Sequence, residues 1–497
     1  MTEHPQVVLQ NRCSGETISM EDYRRSGGYE ALAGVLRQSS PREVTKIVLD
    51  SGLRGQGGAG FPTGRKWSFL AEDAPFPRYV ISNTDEMEPG TFKDRALVSI
   101  NPHTVIEGMI IASFAVSAQE GFFFIRPSYD EVARILRRAM EEAAEEGFLG
   151  ENILASGHSF HLTLHRSAGR YICGETKGLV HALEGKRPHP NIEGHLTTEG
   201  LWGKPTIINN AETLAYIPHI LKNGAAWFRK LGKREGAPGN KIYSVSGRVN
   251  RPGVFELPFG TSLREIVEVH AGGMQPGFEY KTCLPGGAST RYLPKGFYDV
   301  AMDFESLEKI GPGHRFGTGA IMVFDQKTCL VGATLNLLQF FSRESCGFCT
   351  PCREGLPYIQ DLLWRIENGE GREDLISLLK SMSGWMDKAY CAFAPGAATP
   401  VLGLLEDFAE EIHEHISQKR CPFRSHAHLE SQIHRLISGA EEGRGFGRIP
   451  DHQEGVRCKA PRSDEGGVFN HTPQRGANEG NDADDALMVN QGHFLFP

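Results

Sequence analysis

Gly121-Phe122-Phe123-Phe124-Ile125-Arg-Pro127-Ser128-Tyr-Asp-Glu131-Val132 runs from an apolar segment into a helix start, and this junction decides the fold class. The run 121–125 has the length and aromatic content of a buried strand. Ser128 followed by Glu131 is the pattern of a capping box, which closes two free amide donors at a helix N-terminus. Val132, Ile135, Leu136, Ala139 and Ala143 then recur on one helical face. A strand followed by an amphipathic helix is the repeating unit of an α/β domain with a parallel sheet. Tyr79-Val80-Ile81 and the alternating His161-Leu-Thr-Leu-His165 read as further strands of that sheet.

On the N-terminal side, residues 1–50 read as an arm followed by helices. Ser40-Pro41-Arg-Glu43 opens one of them, with Ser40 as cap and Pro41 at the first helical position. Next comes Gly55-Gln-Gly57-Gly58-Ala-Gly60-Phe61-Pro62-Thr63-Gly64-Arg65-Lys66-Trp67. Glycines this dense let backbone amides approach a phosphate or flavin, and Lys66 offers a compact cation; a flexible turn explains the glycines equally well. No clean strand precedes the loop, so it is not the dinucleotide fingerprint. The strand at 79–81 runs into Asn83-Thr-Asp85-Glu86-Met-Glu88. Read alone, three carboxylates in four positions favour a solvated acidic turn over a rim that binds ribose or ribityl hydroxyls. After the third strand, Gly169-Arg-Tyr171-Ile-Cys173-Gly174-Glu175-Thr176-Lys177-Gly178 enters a helix containing Leu179, Val180 and Leu183. The backbone amides of that helix start are expected to be free for an anion or a flavin edge. Cys173 reads as a small buried hydrophobe. Asn209-Asn210 is a pair of amides able to read a heterocycle edge, although such pairs also serve turns.

Towards the C-terminus, a Gly/Pro/charged patch at 233–240 marks a boundary, and 241–325 reads as a β-rich unit in which no chemistry is evident. Ser262 and Glu265 cap a helix there, and Cys283 and Cys329 have no partners at metal spacing. From about 328 the pattern is helical, with leucine faces that form a bundle core. Inside it lies Glu344-Ser-Cys346-Gly-Phe-Cys349-Thr-Pro-Cys352-Arg. Three cysteines at two-residue intervals suit three corners of a [4Fe–4S] cube, with Cys391 of Tyr390-Cys391-Ala-Phe as the fourth. Zinc sites more often use paired C-x-x-C, and two-residue disulfide loops are strained. Cys421 and Cys458 are too scattered for an additional cluster. Beyond Gly439 the apolar period disappears into a polar tail expected to be disordered.

The bulk numbers set limits. The 497 residues allow about two to four domains, and 39% hydrophobic with 23% charged residues is a globular balance. A formal net charge of −8 leaves no basic excess for nucleic acid. The N-terminus lacks a secretory pattern, and the apolar run Val105–Ala118 is interrupted by Glu107 and too short to span a bilayer. Ten cysteines without a signal point to a reducing cytoplasm.

Taken in order, these segments resemble the flavoprotein (F) subunit of NADH:quinone oxidoreductase, respiratory complex I, over about residues 20–420. The resemblance rests on Gly-Gly-Ala-Gly-Phe-Pro-Thr-Gly-x-Lys-Trp at 57–67, Asp-Glu-Met-Glu-Pro-Gly-Thr-Phe-Lys-Asp-Arg at 85–95 and Tyr-Ile-Cys-Gly-Glu at 171–175. Trp-Gly-Lys-Pro-Thr at 202–206, Asn-Asn-x-Glu-Thr-Leu at 209–214 and the cysteine motif at 344–353 complete it. It implies five parts: an arm with helices over 1–50, a Rossmann-like FMN/NADH-binding α/β domain over 51–240, a β-grasp-type domain over 241–327, a helical [4Fe–4S] domain over 328–438 and the tail. The implied activity is transfer of hydride from NADH to FMN and of single electrons to the cluster. By motif, FMN contacts fall on Gly55, Gly57, Lys66, Asn83, Asp85, Glu86, Tyr171, Gly174, Glu175, Asn209, Asn210 and Thr213, with Gly58, Gly60, Thr176 and Ile208 among them. Phe61 and Phe69 match rings that stack on adenine. Glu88 matches a carboxylate beside the nicotinamide, and Glu86 and Glu88 are the implied catalytic pair. Cluster ligands fall on Cys346, Cys349, Cys352 and Cys391. The implied partners are a thioredoxin-like [2Fe–2S] subunit and an iron–sulfur subunit. Membrane contact is expected only through such partners, on the inner face of the cell membrane.

Related subunits serve NAD-reducing hydrogenases and formate dehydrogenases, often with fused ferredoxin-like or thioredoxin-like segments. None is expected before residue 50, which favours the complex I type. Three departures stand out. Gln56 replaces the family's arginine, Thr176-Lys177-Gly178 stands for Glu-Thr-Ala, and 191–198 replaces a Pro-Pro-Phe-Pro segment. A glutamate at 176 would repel a 2′-phosphate, so its loss is expected to weaken selection against NADPH. The competing expectation is a relay or assembly subunit whose nucleotide site is decaying.

Overall fold

The computed structural model describes residues 5–10, 16–190 and 194–424. The expected tail, Cys458 and Asn191–Glu193 of the altered loop lie outside the described residues.

Four strands, β1 (Tyr79–Thr84), β2 (Glu120–Ile125), β3 (His161–Arg166) and β4 (Thr206–Asn210), form an all-parallel sheet in the order β3-β2-β1-β4. Alternate side chains enter two different cores. Val80, Phe123, Ile125 and Ile207 pack with the helices on one face, whereas Tyr79, Ile81, Phe124 and Ile208 pack on the other with Cys173, Leu179 and Val180. Burial on both faces explains why β1 and β2 read as continuous apolar runs. The helix after β2 is Asp130–Glu145, and Tyr129 caps it without a side-chain bond. The expected Ser128–Glu131 box is absent because Tyr129 N–H closes a turn onto Arg126 O (3.1 Å), which delays the helix start. The Ser40–Glu43 box forms as expected.

The apolar run 102–116 is a single core helix, Pro102–Val116, buried almost throughout. Its Glu107 accepts hydrogen bonds from Tyr23 OH (2.6 Å), Tyr29 N–H (2.9 Å) and Leu32 N–H (3.0 Å), and so ties down the N-terminal helices. No single helix among the described residues is long and apolar enough to cross a membrane.

A second, mixed sheet follows in the order β6-β5-β8-β7, built from β5 (Asn240–Gly247), β6 (Gly253–Pro258), β7 (Tyr280–Leu284) and β8 (Ala320–Asp325). Its inner face joins the first unit through Glu212, which pairs with Lys241 (2.5 Å) and accepts from Ile242 N–H (2.7 Å). Ser262 Oγ accepts from Glu265 N–H (3.2 Å) at the expected helix start. Helices Leu330–Glu344, Thr350–Glu367, Glu373–Trp385, Phe393–Asp407 and Ala409–Gln418 then share one apolar core. The first two form an antiparallel hairpin whose turn carries the cysteine run.

Candidate functional site

The chain lays β1, β2 and β3 side by side and then places β4 on the opposite flank of β1. This reversal opens a crevice beyond the carboxyl ends of β1 and β4, the position where parallel sheets bind ligands. Asn83 and Asn210 are register partners at that point. Asn210 Nδ2 donates to Asn83 O (3.2 Å) and to Asp94 Oδ2 (2.6 Å), while Asn83 Nδ2 donates to Gly174 O (2.9 Å). The resulting cleft of about 370 Å³ is lined on one side by Gly57, Gly58, Asn83, Asp85, Glu86, Glu88 and Asn210, and on another by Tyr171, Gly174 and Glu175. That volume suits a ligand of nucleotide size. A Cβ on Gly57 would sit 3.1 Å from the Asn210 side chain, a tight contact that the missing side chain of glycine avoids. The loop is fixed by Gln56 N–H donating to Thr213 Oγ1 (2.8 Å) and by Gly55 N–H donating to Phe61 O (2.8 Å).

The acidic turn is not solvated. Asp85, Glu86 and Glu88 are all buried, because the turn is enclosed by three separate parts of the chain. Glu86 caps the helix Lys93–Ile100, accepting from the amides of Asp94 (2.9 Å) and Arg95 (3.1 Å). Burial first, then the Asp94 charge, pushes its carboxyl up to about 7, against Lys93. Glu88 is gripped by Ser289 N–H (2.8 Å) and Oγ (2.7 Å) and by the Tyr171 hydroxyl. Burial still raises its pKa. Asp85 differs from both: neither oxygen has a hydrogen-bond donor in the protein, and burial raises it to about 7 although Ser167 and Arg126 oppose the rise. Two buried acceptors without donors, facing a cleft, fit a ligand that brings hydroxyls.

Cys346, Cys349, Cys352 and Cys391 line one small hollow with Ile172, Phe348 and Phe393. Tertiary folding therefore delivers the fourth cysteine that spacing alone could not place. Burial pushes the Cys352 thiol up to about 12 and the Cys391 thiol up to about 11, with the other cysteines adding to it. Four sulfur ligands converging on one hollow, two of them on thiols that burial holds protonated, fit a shared metal cluster better than free thiolates. The eight described cysteines form no disulfide. Ile172, Cys391 and Phe393 line both this hollow and the cleft.

Other expected site residues stand one layer back from the cleft. Lys66 Nζ donates to Ile208 O (2.9 Å), and burial lowers its pKa to about 8. Asn209 Oδ1 accepts from Trp67 Nε1 (3.0 Å), and Thr213 holds the glycine loop. Gly55 and Gly60 shape that loop; Gly60 has φ +63° and no room for a Cβ beside Phe304. Phe61 and Phe69 are exposed, with ring centroids 6.0 Å apart. Thr176 begins the helix Thr176–Leu183, whose amides are not free: Glu175 Oε2 accepts from Lys177 and Gly178 (2.9 Å each). The expected open helix start is thus closed by its own cap.

The β-rich unit, expected to carry no chemistry, supplies a wall of the cleft through Gly286, Ser289, Thr290, Arg315, Gly317 and Thr318. Gly286 and Gly317 approach so closely that a Cβ on Gly317 would meet Gly286 O at 2.2 Å. Dense glycines at 286–287 and 317–319 were the available signal. Lys93 was missed as well. Burial disfavours its charge, but Asp94 (2.7 Å), Glu212 (2.9 Å) and nearby Glu86 outweigh burial and hold it protonated.

Comparison with known proteins agrees with this geometry. The model of the Nuo51 FMN-binding domain matches residues 48–219, that of the NADH-ubiquinone oxidoreductase-F iron-sulfur binding region matches 332–415, and that of the SLBB domain matches 242–289. The F 2 subunit of NADH-quinone oxidoreductase of Rhizobium meliloti is 44% identical over 84% of this chain and 99% of its own length. This chain belongs to the family of NADH-quinone oxidoreductase F subunits. The corresponding F subunit of Escherichia coli is 45% identical over 86% of this chain and 95% of its own. Among solved structures, an air-oxidised NAD+-reducing [NiFe]-hydrogenase superposes with a TM-score of 0.71 and 32% identity, covering 81% of this chain and 67% of that one. The FMN model spans the parallel sheet and its glycine loop, and the iron–sulfur model spans all four cysteines of the hollow. Proteins of this family are subunits of larger assemblies.

Proposed function

We propose that this chain oxidises NADH at an FMN seated in the cleft and delivers the electrons singly to a [4Fe–4S] cluster held by Cys346, Cys349, Cys352 and Cys391. The observation that carries the reading is the shared wall: Ile172, Cys391 and Phe393 border both the cleft and the cysteine hollow. FMN, when bound, supplies the conversion between a two-electron donor and a one-electron acceptor. The protein's own part is to bind and orient. Gly57 and Gly58 present backbone to the cofactor, Asn83 and Asn210 present amides, and Asp85 accepts from the ribityl hydroxyls. Arg315, exposed at the cleft, offers charge to a phosphate. Glu88, fixed by Tyr171 and Ser289, orients the nicotinamide end, and Glu86 keeps its helix in place beside it. Phe61 and Phe69 offer exposed faces to adenine. Lys66, Ile208, Asn209 and Thr213 act one layer back by fixing the loop and β4, and Thr176 donates its hydroxyl to Glu175 of the cleft wall (3.3 Å).

The proposed setting is a complex I-type assembly. A thioredoxin-like [2Fe–2S] subunit and an iron–sulfur subunit would receive the electrons, and contact with the inner face of the cell membrane would come only through partners. Likeness to a NAD+-reducing hydrogenase supports a second setting, the diaphorase subunit of such an enzyme. Metal analysis of the complex captured through a tag on this chain separates the two, since nickel at stoichiometry belongs to the second.

Anaerobic reconstitution with FMN, iron and sulfide tests the site. The wild type should retain about one flavin and about four irons per chain, and Asn83→Ala or Asn210→Ala should lose flavin while keeping iron. Flavin retention equal to wild type in both variants would refute the placement.

A further inference from the structure

Cys329, which lacks any partner at metal spacing in the sequence, meets three ligand-type side chains in the fold. Its Sγ lies 3.3 Å from Glu367 Oε2 and 3.3 Å from His415 Nε2, and His415 Nε2 lies 3.1 Å from Glu367 Oε2. Cys421 Sγ completes the group, and all four ligand atoms lie within 4.8 Å of one another. In a tetrahedral zinc site with bonds of about 2.0–2.3 Å, ligand atoms stand about 3.3–3.8 Å apart. Glu367, His415 and Cys421 are buried, and Cys329 is partly so.

The surroundings prepare each group for a metal. His415 Nδ1 is 2.6 Å from Glu411 O, so that nitrogen carries a proton and Nε2, which faces the cluster, is the ring atom available to a metal. Gly332 N–H donates to Cys329 Sγ (3.2 Å), supporting a thiolate at a helix start. Glu411, whose carbonyl orients the imidazole, is itself fixed by Lys281 (2.5 Å) and by Leu330 N–H (3.0 Å). Two sulfurs, an imidazole nitrogen and a carboxylate oxygen converging this closely, out of water, form the donor set of a four-coordinate divalent cation.

We propose that Cys329, Glu367, His415 and Cys421 bind one zinc ion as a closed, four-ligand structural site. Cys329 precedes the helix Leu330–Glu344 and Glu367 ends the helix Thr350–Glu367, whereas the cysteine run lies at the opposite end of that hairpin. The two sites are therefore on the order of 20 Å apart. The zinc takes no part in electron transfer. It fastens the helix Ala409–Gln418 across the open end of the hairpin that presents Cys346, Cys349 and Cys352. Two thiolates and a carboxylate displace solvent from the ion, and binding releases the thiol protons.

The full chain, expressed with zinc and iron supplied and purified anaerobically without chelator, provides the test. Elemental analysis should find about one zinc beside about four irons. Cys421→Ser and His415→Ala should lose the zinc and keep the iron, whereas Cys421→His, which preserves a ligand, should keep both. Should those variants fold poorly, wild type grown on cobalt should show intense thiolate-to-cobalt absorption. Zinc well below stoichiometry in wild type, a Cys329–Cys421 disulfide in the isolated protein, zinc unaffected by both substitutions, or absence of the cobalt bands would each overturn the assignment.

Discussion

Tyr171 donates its hydroxyl to the buried carboxylate of Glu88 while its ring packs edge-on against Phe393, 5.3 Å between centroids. One side chain thus links the acid at the cleft to the wall shared with the cysteine hollow. Burial raises the pKa of Glu88, and its hydrogen bonds from Tyr171 and Ser289 lower it again. Tyr171→Phe removes one of those donors. Its expected cost is about 1–3 kcal/mol of stability, and the acid limb of the kcat/KM profile for NADH should move to higher pH. Urea denaturation and a pH series check both, and an unmoved acid limb would show that Glu88 takes no part in nucleotide oxidation.

Asp85 gives a second pH signature. Its folded pKa of about 7 lies above that of an unfolded aspartate, so the folded chain holds this proton between about pH 4 and 7 and the unfolded chain does not. The contribution is fully present below the unfolded value and is lost as pH rises through the folded one. Buried His158 and His219, both lowered to about 4, act in the opposite sense, so a difference between variants is the useful readout. In flavin-free protein, the stability of wild type relative to Asp85→Asn should fall by up to about 1.4 kcal/mol per pH unit across that window. Thermal melts at pH 5 and pH 7 measure it.

Cys391→Ser separates the two centres. The substitution removes one ligand from the hollow while leaving Asn83, Asn210 and the glycine loop intact. Iron content and cluster absorption should fall severalfold, whereas NADH-driven reduction of a small artificial acceptor that takes electrons at the flavin should stay within a few-fold of wild type. Parallel loss of both activities would argue against separate centres.

The departure at Thr176 yields a specificity test. Glu175 spends one oxygen on the helix amides and the other accepts from the Thr176 hydroxyl (3.3 Å), so both are engaged within the protein. Thr176→Glu should restore a carboxylate at the helix start and raise the NADH-over-NADPH ratio of kcat/KM by about tenfold. A wild-type ratio already as high as that of the variant would contradict a role for position 176 in this selection.

The parts of the fold readable in sequence were those whose causes are local. Phe122–Ile125 and Tyr79–Ile81 declare strands because both faces of the sheet are buried, and Ser40 with Glu43 declares a helix start three residues apart. Cys346, Cys349 and Cys352 declare a cluster loop for the same reason. What stayed hidden depends on distant partners. The acidic turn read as solvated because Ser289, which grips Glu88, lies 201 residues away. Cys329 read as isolated because its neighbours Glu367 and His415 lie 38 and 86 residues on. The open helix start before Thr176 was misjudged for another reason. Glu175 is the residue immediately before the helix, and a carboxylate there caps its own helix before it can serve a ligand.

The coupling of the two centres through Ile172, Cys391 and Phe393 is tested most directly by anaerobic titration of the purified, reconstituted chain with NADH, followed optically and by electron paramagnetic resonance. Flavin bands should bleach and a reduced cluster signal should appear in the same chain, with electron uptake accounting for both centres. Protein that contains its flavin and iron but leaves the cluster oxidised while the flavin bleaches, or leaves both unchanged, would contradict the account.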